Sequence, residues 1–576
     1  MKRKIILFVL FCVSFVVKAQ IANDQISGDT AEVFQTETPA IIINADVLLT
    51  GEHLSYKVYN LLGSGKTSSQ SKISYVTLRT DKDSVIFDHK LRLHNGTAHG
   101  SFFIPAALKT GAYKLLSYTN FSLNNEIKAA AHRKVYIINP FIKAVSDIQI
   151  DSTRTKEVMS SHDVSLSFAE DIRANGLSIK TNRPTYEKRE KVTVSIENPS
   201  GTKGDGNYAL SVRRVDPVEV PNSSLSKYSI VSESQNMLFV PELRGEIISG
   251  KVLTVSNEEP VPNIIVAFSI PGKNYVFKTA RTNSNGQFFI SIDEPYETKN
   301  SIVQINEPNR EQYKITLDQK RFKFKDEEYP MLKLDVSLKE WLQERSIQLQ
   351  IENAYFKQDS IEEGTDAEHL FYGELGTEFN LDEYTRFPSL EETFVEIVSL
   401  ARIREKNGKD AFEVFDPFNP YKKGPFSTFD PLLLLDGILV QDTDDVLSYS
   451  AREIKSIRVF PQTYRYGPKV YRGIIDIKTI GGAYKPRLAG AHIVEFELIR
   501  PLPEKENLSP DHSSRSFDRI PDYRTQLCWL PNIELSGEAI AKSFYASDVT
   551  GTYQVKLSGY SNSGEHVVVQ ERFVVE

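Results

Sequence analysis

Few residues in this chain have types and spacing that could do chemistry. Gly63-Ser64-Gly65-Lys66-Thr67 has the glycine, lysine and hydroxyl that close a phosphate-binding loop. The leading glycine of that pattern would fall where Asn60 stands, and no helical periodicity follows, so the stretch reads as a turn between strands. His94 and His99 could ligate a metal, but they straddle Asn95-Gly96, a tight-turn pair, and read as surface or turn packing. Gln441-Asp442-Thr443-Asp444-Asp445 gathers carboxylates without the spacing and central glycine of a calcium loop, and reads as a solvated acidic loop. Cys528 lies in the apolar run Leu527-Cys528-Trp529-Leu530, with no activating base beside it in the sequence. It reads as a small buried residue. The ten histidines are otherwise scattered. Neither a His-Glu-Xaa-Xaa-His pair nor a Gly-Xaa-Ser-Xaa-Gly elbow occurs. The expectation is a protein that is not an enzyme, with no catalytic, cofactor-binding or metal-binding residue and no cofactor.

The bulk properties agree. The chain has 576 residues, a length suited to about three to five domains. Charged residues make up 25% and the net charge is −7, with both signs interspersed. A nucleic-acid binder would carry a basic excess or stripe. Residues 1–19 read as a secretory signal peptide. Lys2, Arg3 and Lys4 form a basic start, Ile5 to Val17 is apolar but short for a membrane span, and Val17-Lys18-Ala19 fits the small-residue cleavage rule. Cys12 lacks the preceding small residue of a lipoprotein signal. Cleavage leaves Cys528 as the one cysteine, so the mature chain is expected to be stable from its cores and without a disulfide. The expected location is exported, in the periplasm or at the outer membrane of a Gram-negative bacterium, with no transmembrane span after cleavage.

The remaining chain reads as mainly β. Residues 21–40 are polar and read as a lead-in. From 40 to 141, short alternating runs (Leu54 to Tyr59, Ile73 to Leu78, Val85 to Leu93, Val135 to Ile138) are separated by turn residues at the spacing of a sandwich. Thr50-Gly51-Glu52, the Asn95-Gly96 turn and Thr110-Gly111-Ala112-Tyr113 mark its strands. In this order they resemble the macroglobulin-type sandwich of the α2-macroglobulin superfamily. The opening of that pattern is degraded here to Ile43-Asn44-Ala45-Asp46-Val47.

A second copy begins in 172–220, where Arg183-Pro184-Thr185-Tyr186 and Val192 to Ile196 resemble the macroglobulin opening more closely. It runs out near Asp216, and 221–236 reads as a loop. The last segment, 485–576, is β again, with Gly551-Thr552-Tyr553 repeating the glycine–tyrosine strand signature and Tyr523-Arg524-Thr525 to Pro531-Asn532 resembling a late segment of bacterial α2-macroglobulins. Two arrangements remain open: two separate small sandwiches, or one sandwich whose opening strands in 172–220 are completed by 485–576 across everything between. The Gly-Cys-Gly-Glu-Gln thioester motif of macroglobulins is absent, which removes covalent trapping of proteases.

Residues 245–320 form a further β unit. Ser249-Gly250-Lys251-Val252, Pro260-Val261-Pro262-Asn263 and Asn283-Ser284-Asn285-Gly286 resemble, in this order, the carboxypeptidase-regulatory-like domain, a non-catalytic prealbumin-like sandwich. Residues 336–482 hold two helices and a small α/β unit. One helix is expected over Leu338 to Lys357. A second starts at Pro388, with Ser389 as N-cap and Phe394, Ile397, Val398 and Ala401 as its apolar face. Then come an apolar run from Leu432, the Asp436-Gly437 turn, Glu453 to Val459, Tyr466-Gly467 and Gly473 to Thr479. This ordered set resembles the plug domain of TonB-dependent outer-membrane transporters, closest to the starch-utilisation type. That family's plug fills a 22-stranded barrel. Residues 483–576 supply fewer than half of the roughly 200 residues such a barrel needs.

The resemblances therefore imply several Ig- or macroglobulin-like and prealbumin-like sandwiches plus a small α/β plug-like domain without its barrel. The expected function is a cell-envelope protein acting by protein–protein contact at the outer membrane. Its partners would be outer-membrane or surface proteins, a barrel protein among them, and no nucleic acid. The alternatives are a non-covalent macroglobulin-like protease bait or inhibitor, or a glycan- or nutrient-binding accessory of a TonB-dependent transporter.

Overall fold

The computed structural model describes residues 34–142, 148–151, 176–218, 226–232, 239–324, 332–355 and 370–576. Within those ranges it omits 126–128, 200, 229, 319–321, 374, 407, 417–428, 448, 483, 485–488, 504–508, 515, 516 and 518. The expected signal peptide, residues 1–19, lies outside the described residues. The fold is mainly β, as composition and turn spacing require.

The first sandwich packs the sheet Glu37–Ile43, His53–Leu62, Thr97–Phe103 over a larger one. The larger sheet runs Ser226–Tyr228, Ala130–Ile138, Gly111–Tyr118, Ile73–Thr80, Val85–Arg92. Ile41, Leu54, Tyr56, Val76, Leu78, Leu115 and Val135 fill its core. Two expectations change here. The lead-in ends before residue 37, because Glu37 opens a strand and is fully buried, accepting from Ser68 Oγ, Ser71 N, Ser71 Oγ and Thr119 Oγ1. The loop expected at 221–236 contains Ser226–Tyr228, which pairs with residues 130–132, and Ile230–Ser232, which pairs with Phe322–Phe324. Polar composition hid both, since backbone pairing with an existing edge needs no apolar alternation.

The second sandwich is built from both sides of a long interruption. Ser178–Thr181 and Lys191–Glu197 share a sheet with Ile540–Tyr545. Gly206–Arg214 lies between Gln526–Leu535 and Gly551–Ser561, and His566–Val575 continues that sheet to Thr185–Tyr186. Lys191–Glu197 buries every second residue, the period of a half-buried strand. Val192, Val194, Tyr208 and Val212 from the early segment pack with Phe544, Val555, Leu557 and Phe573 from the late one in a single core.

The third sandwich faces Gln287–Ile292, Glu246–Thr254, Tyr313–Leu317 with Val276–Arg281, Ile265–Ile270, Asn300–Ile305. Ile493–Glu497 adds to the second of these sheets beside Asn300–Ile305. The segment from 485 is thus divided: its first strand completes the third sandwich and its later strands the second.

The α/β unit has a five-stranded sheet in the order Thr377–Asn380, Ile454–Phe460, Ile474–Thr479, Leu432–Leu435, Ile438–Leu439. Ser389 caps its helix, Leu390–Glu396, by accepting from Glu392 N. The helix is shorter than expected and Ala401 already belongs to a strand, although Phe394, Val398 and Ala401 all reach the core. Ala401–Lys406 and Lys409–Val414 form a hairpin that pairs with no other strand among the described residues. The longer helix, Leu338–Tyr355, lays Leu338, Trp341, Leu342 and Leu349 against Val47, Leu49, Tyr136 and Ile138 of the first sandwich.

Candidate functional site

The Asp436-Gly437 turn has φ of 49° and 81° at its two residues, the doubly left-handed geometry that matches strand twist in a two-residue hairpin. Leu434 pairs with Leu439 and Leu435 with Ile438. The Asp436 carboxylate, buried at 2% exposure, accepts from Thr479 N (2.8 Å), Thr479 Oγ1 (2.6 Å) and Tyr484 N (3.0 Å). It ties the turn to the end of the neighbouring strand. Gly437 touches the third sandwich: a Cβ there would stand 2.2 Å from Cγ of Tyr275. The turn is thus packed against another unit of the same chain.

Tyr275 also marks the centre of the seam between these two units. Its hydroxyl and that of Tyr372 both donate to Oδ2 of Asp476, each at 2.7 Å. Asp476 is 1% exposed, on the middle strand of the α/β sheet. Burial raises its pKa, while the two tyrosines pull it back down. Around this triad Ala267, Phe277, Leu432, Leu434, Leu439, Phe460, Tyr471 and Ile474 form an apolar seam. Its rim is polar: Gln304 Nε2 donates to Leu439 O, Lys469 Nζ to Asn306 Oδ1, and Arg310 pairs with Asp442.

Other seams have the same character. Glu52 of the first sandwich, 5% exposed, pairs with Arg213 of the second (3.1 Å) and Arg345 of the long helix (3.0 Å). The two guanidiniums hold its carboxyl below the ordinary range against the opposing pull of burial. Lys57 of the first sandwich is buried against the second, donating to Asn207 Oδ1, Pro531 O (2.6 Å) and Tyr208 O (3.3 Å). Burial pushes its amine down to about 7. Lys90, also of the first sandwich, pairs with Glu246 of the third (2.5 Å), and Tyr296 donates to the same carboxylate (2.9 Å).

The residues singled out by type lie apart. Gly63 to Thr67 is a tight turn, with Gly65 N donating to Leu62 O and Gly65 packed on Gly564. His94 and His99 flank the Asn95-Gly96 turn as expected. The acidic run at 441–445 is not a loop throughout: Asp444 and Asp445 occupy the first turn of the helix Thr443–Leu447, where carboxylates suit the helix dipole. Cys528 is half-buried where a fully buried residue was expected; it packs against the second core, and desolvation pushes its thiol up to about 12. Among the described residues, no group of His, Cys, Asp and Glu could hold a metal ion, and no helix is long and apolar enough to cross a membrane. Sequence reading missed Glu52, Lys57, Tyr275, Tyr372 and Asp476. A charged residue inside an otherwise apolar strand, such as Asp476 in Ile474-Ile475-Asp476-Ile477, was the one available signal.

No family model and no curated protein matches this chain. Among solved structures it is similar to trypsin-activated α2-macroglobulin from Escherichia coli, at 8% identity and a TM-score of 0.23, covering 94% of this chain and 41% of that one. The native conformation of the E. coli protein gives 10%, a TM-score of 0.24, and coverage of 96% and 40%. The E. coli adhesin FdeC gives 10% and a TM-score of 0.14, covering 46% of this chain and 58% of that one. The chain spans about two fifths of the macroglobulins' length.

Proposed function

We propose that this chain is an exported, non-enzymatic scaffold of the bacterial cell envelope that works by holding several surfaces in fixed relation for contact with outer-membrane or surface proteins. The plug-like and regulatory-like resemblances of residues 336–482 and 245–320 belong to this reading. One observation carries it: the seams described above are closed by buried polar groups, namely the ion pairs of Glu52 with Arg213 and Arg345 and of Lys90 with Glu246, and the hydrogen bonds that Tyr275 and Tyr372 donate to Asp476. Deleting one partner of such a buried ion pair costs about 3–5 kcal/mol, because the other charge then stays buried without compensation. Such pairs favour one register of each unit on the next, since a shifted arrangement would leave a charge buried without its partner; this supports presentation over a bait mechanism that must rearrange around a protease.

The test is photo-cross-linking in intact envelopes, with the probe placed at exposed positions on each unit. Discrete adducts with outer-membrane or surface proteins are expected. Recovery of only the free chain from every position would overturn the reading. Protection of a large substrate by excess protein during proteolysis would favour the bait alternative instead.

A further inference from the structure

The hairpin Ala401–Lys406 with Lys409–Val414 projects from the α/β unit, and its two faces differ in kind. Ala401, Phe412 and Val414 are buried in the core of the unit, anchoring one face at its base. The other face carries Arg402, Arg404 and Lys406 at alternate positions of one strand. Glu413 lies opposite Arg402, and Lys409 directly opposite Lys406. Alternate residues of a strand share a face at a repeat of about 6.8 Å. Like charges directly opposite each other destabilise a ladder, so Lys406 facing Lys409 is a local cost.

Compensation on this face is thin. Glu413 alone is shared by Arg402 (2.8 Å), Arg404 (3.3 Å) and Arg472 (3.9 Å). Lys406 reaches Asp430, which is itself 76% exposed. The Arg404 and Lys406 side chains remain 58% and 50% exposed. In a chain whose net charge is −7, this is a concentrated cationic face on an element with no further strand beside it among the described residues.

We infer that this face docks an acidic polypeptide segment in extended conformation, with carboxylates at every second residue in register with Arg402, Arg404 and Lys406. The alternate spacing selects an extended chain over a point anion, and guanidinium groups suit carboxylates through paired N–H donors. Pairing beside a hairpin strand is a known mode of peptide recognition. The inference names the partner chemistry for one surface of the scaffold proposed above and rests on that reading.

The test titrates the full chain with a peptide of alternating Glu and Val or Thr, and with a peptide of the same composition whose glutamates are contiguous. Vesicles rich in anionic phospholipid form a third arm. Tighter binding of the alternating peptide by at least tenfold is expected, with loss of that preference in R404Q/K406Q. Both positions are exposed, so the variant should keep the wild-type melting temperature. Equal binding of the two peptides, or binding to vesicles alone, would overturn the inference. So would a variant that keeps the preference. Envelope cross-links formed from other units despite such a result would leave the scaffold reading standing, so the two failures are distinguishable.

Discussion

Single buried polar groups control the seams. Lys57 holds its amine near 7 when folded and at its ordinary value of 10.5 when unfolded. Between those values the unfolded chain binds the extra proton, so stability rises with pH across that window and is flat below it. Denaturant unfolding followed from pH 7 to 9.5 should show a rising midpoint worth up to about 3 kcal/mol, and K57M should remove the slope. For Asp476 the sign is opposite. Its folded pKa is raised by burial, so the stability it supports at low pH is lost as pH rises through that value. D476N should therefore stay within about 1 kcal/mol of wild type near neutral pH, whereas Y275F, which leaves the carboxylate one donor short, should cost about 1–3 kcal/mol. Paired chemical-denaturation curves at pH 5 and pH 8 check both. E52Q should cost about 3–5 kcal/mol, because Arg213 and Arg345 would keep their burial and lose their shared partner.

Among the elements, the Asp436-Gly437 hairpin decides how the α/β unit sits on the third sandwich. G437A meets two penalties: a left-handed φ that disfavours a side chain, and a Cβ driven into Tyr275. The expected outcome is a loss above about 2 kcal/mol with faster amide exchange over 270–277 and 432–440, read by hydrogen exchange with mass spectrometry. Exchange unchanged across both segments would show that the turn does not hold the seam. Local signals located this element well. Asp-Gly between apolar runs and serine before a glutamate-rich turn both report geometry set within a few residues. The seam around Tyr275 gave no such signal, since Tyr275 and Asp476 stand 201 residues apart.

The whole molecule is arranged by its second sandwich, whose two halves enclose the third sandwich and the α/β unit in sequence. Arg214 N donates to Thr525 O at 2.9 Å, so the chain leaves and re-enters this sandwich at nearly the same place. Residues 176–218 joined through a short Gly/Ser linker to 524–576 should fold on their own and unfold cooperatively, as circular dichroism and denaturant titration would show. A chain ending at residue 482 should leave Val192, Val194, Tyr208 and Val212 without their partners and should aggregate or be degraded.

The sequence by itself determined the class of element, the turns and most strand positions. Alternation and glycine, asparagine and aspartate chemistry act over a few residues and need no distant partner. It also determined that Asp436-Gly437 forms a tight hairpin. Only the tertiary structure decided that 178–214 and 526–575 share one core, that Ile493–Glu497 belongs to the third sandwich, and that buried Glu52, Lys57 and Asp476 close the seams. A strand's own pattern specifies that one face must be covered. Which segment covers it depends on long-range packing and on the desolvation of charges, neither of which has a local signature.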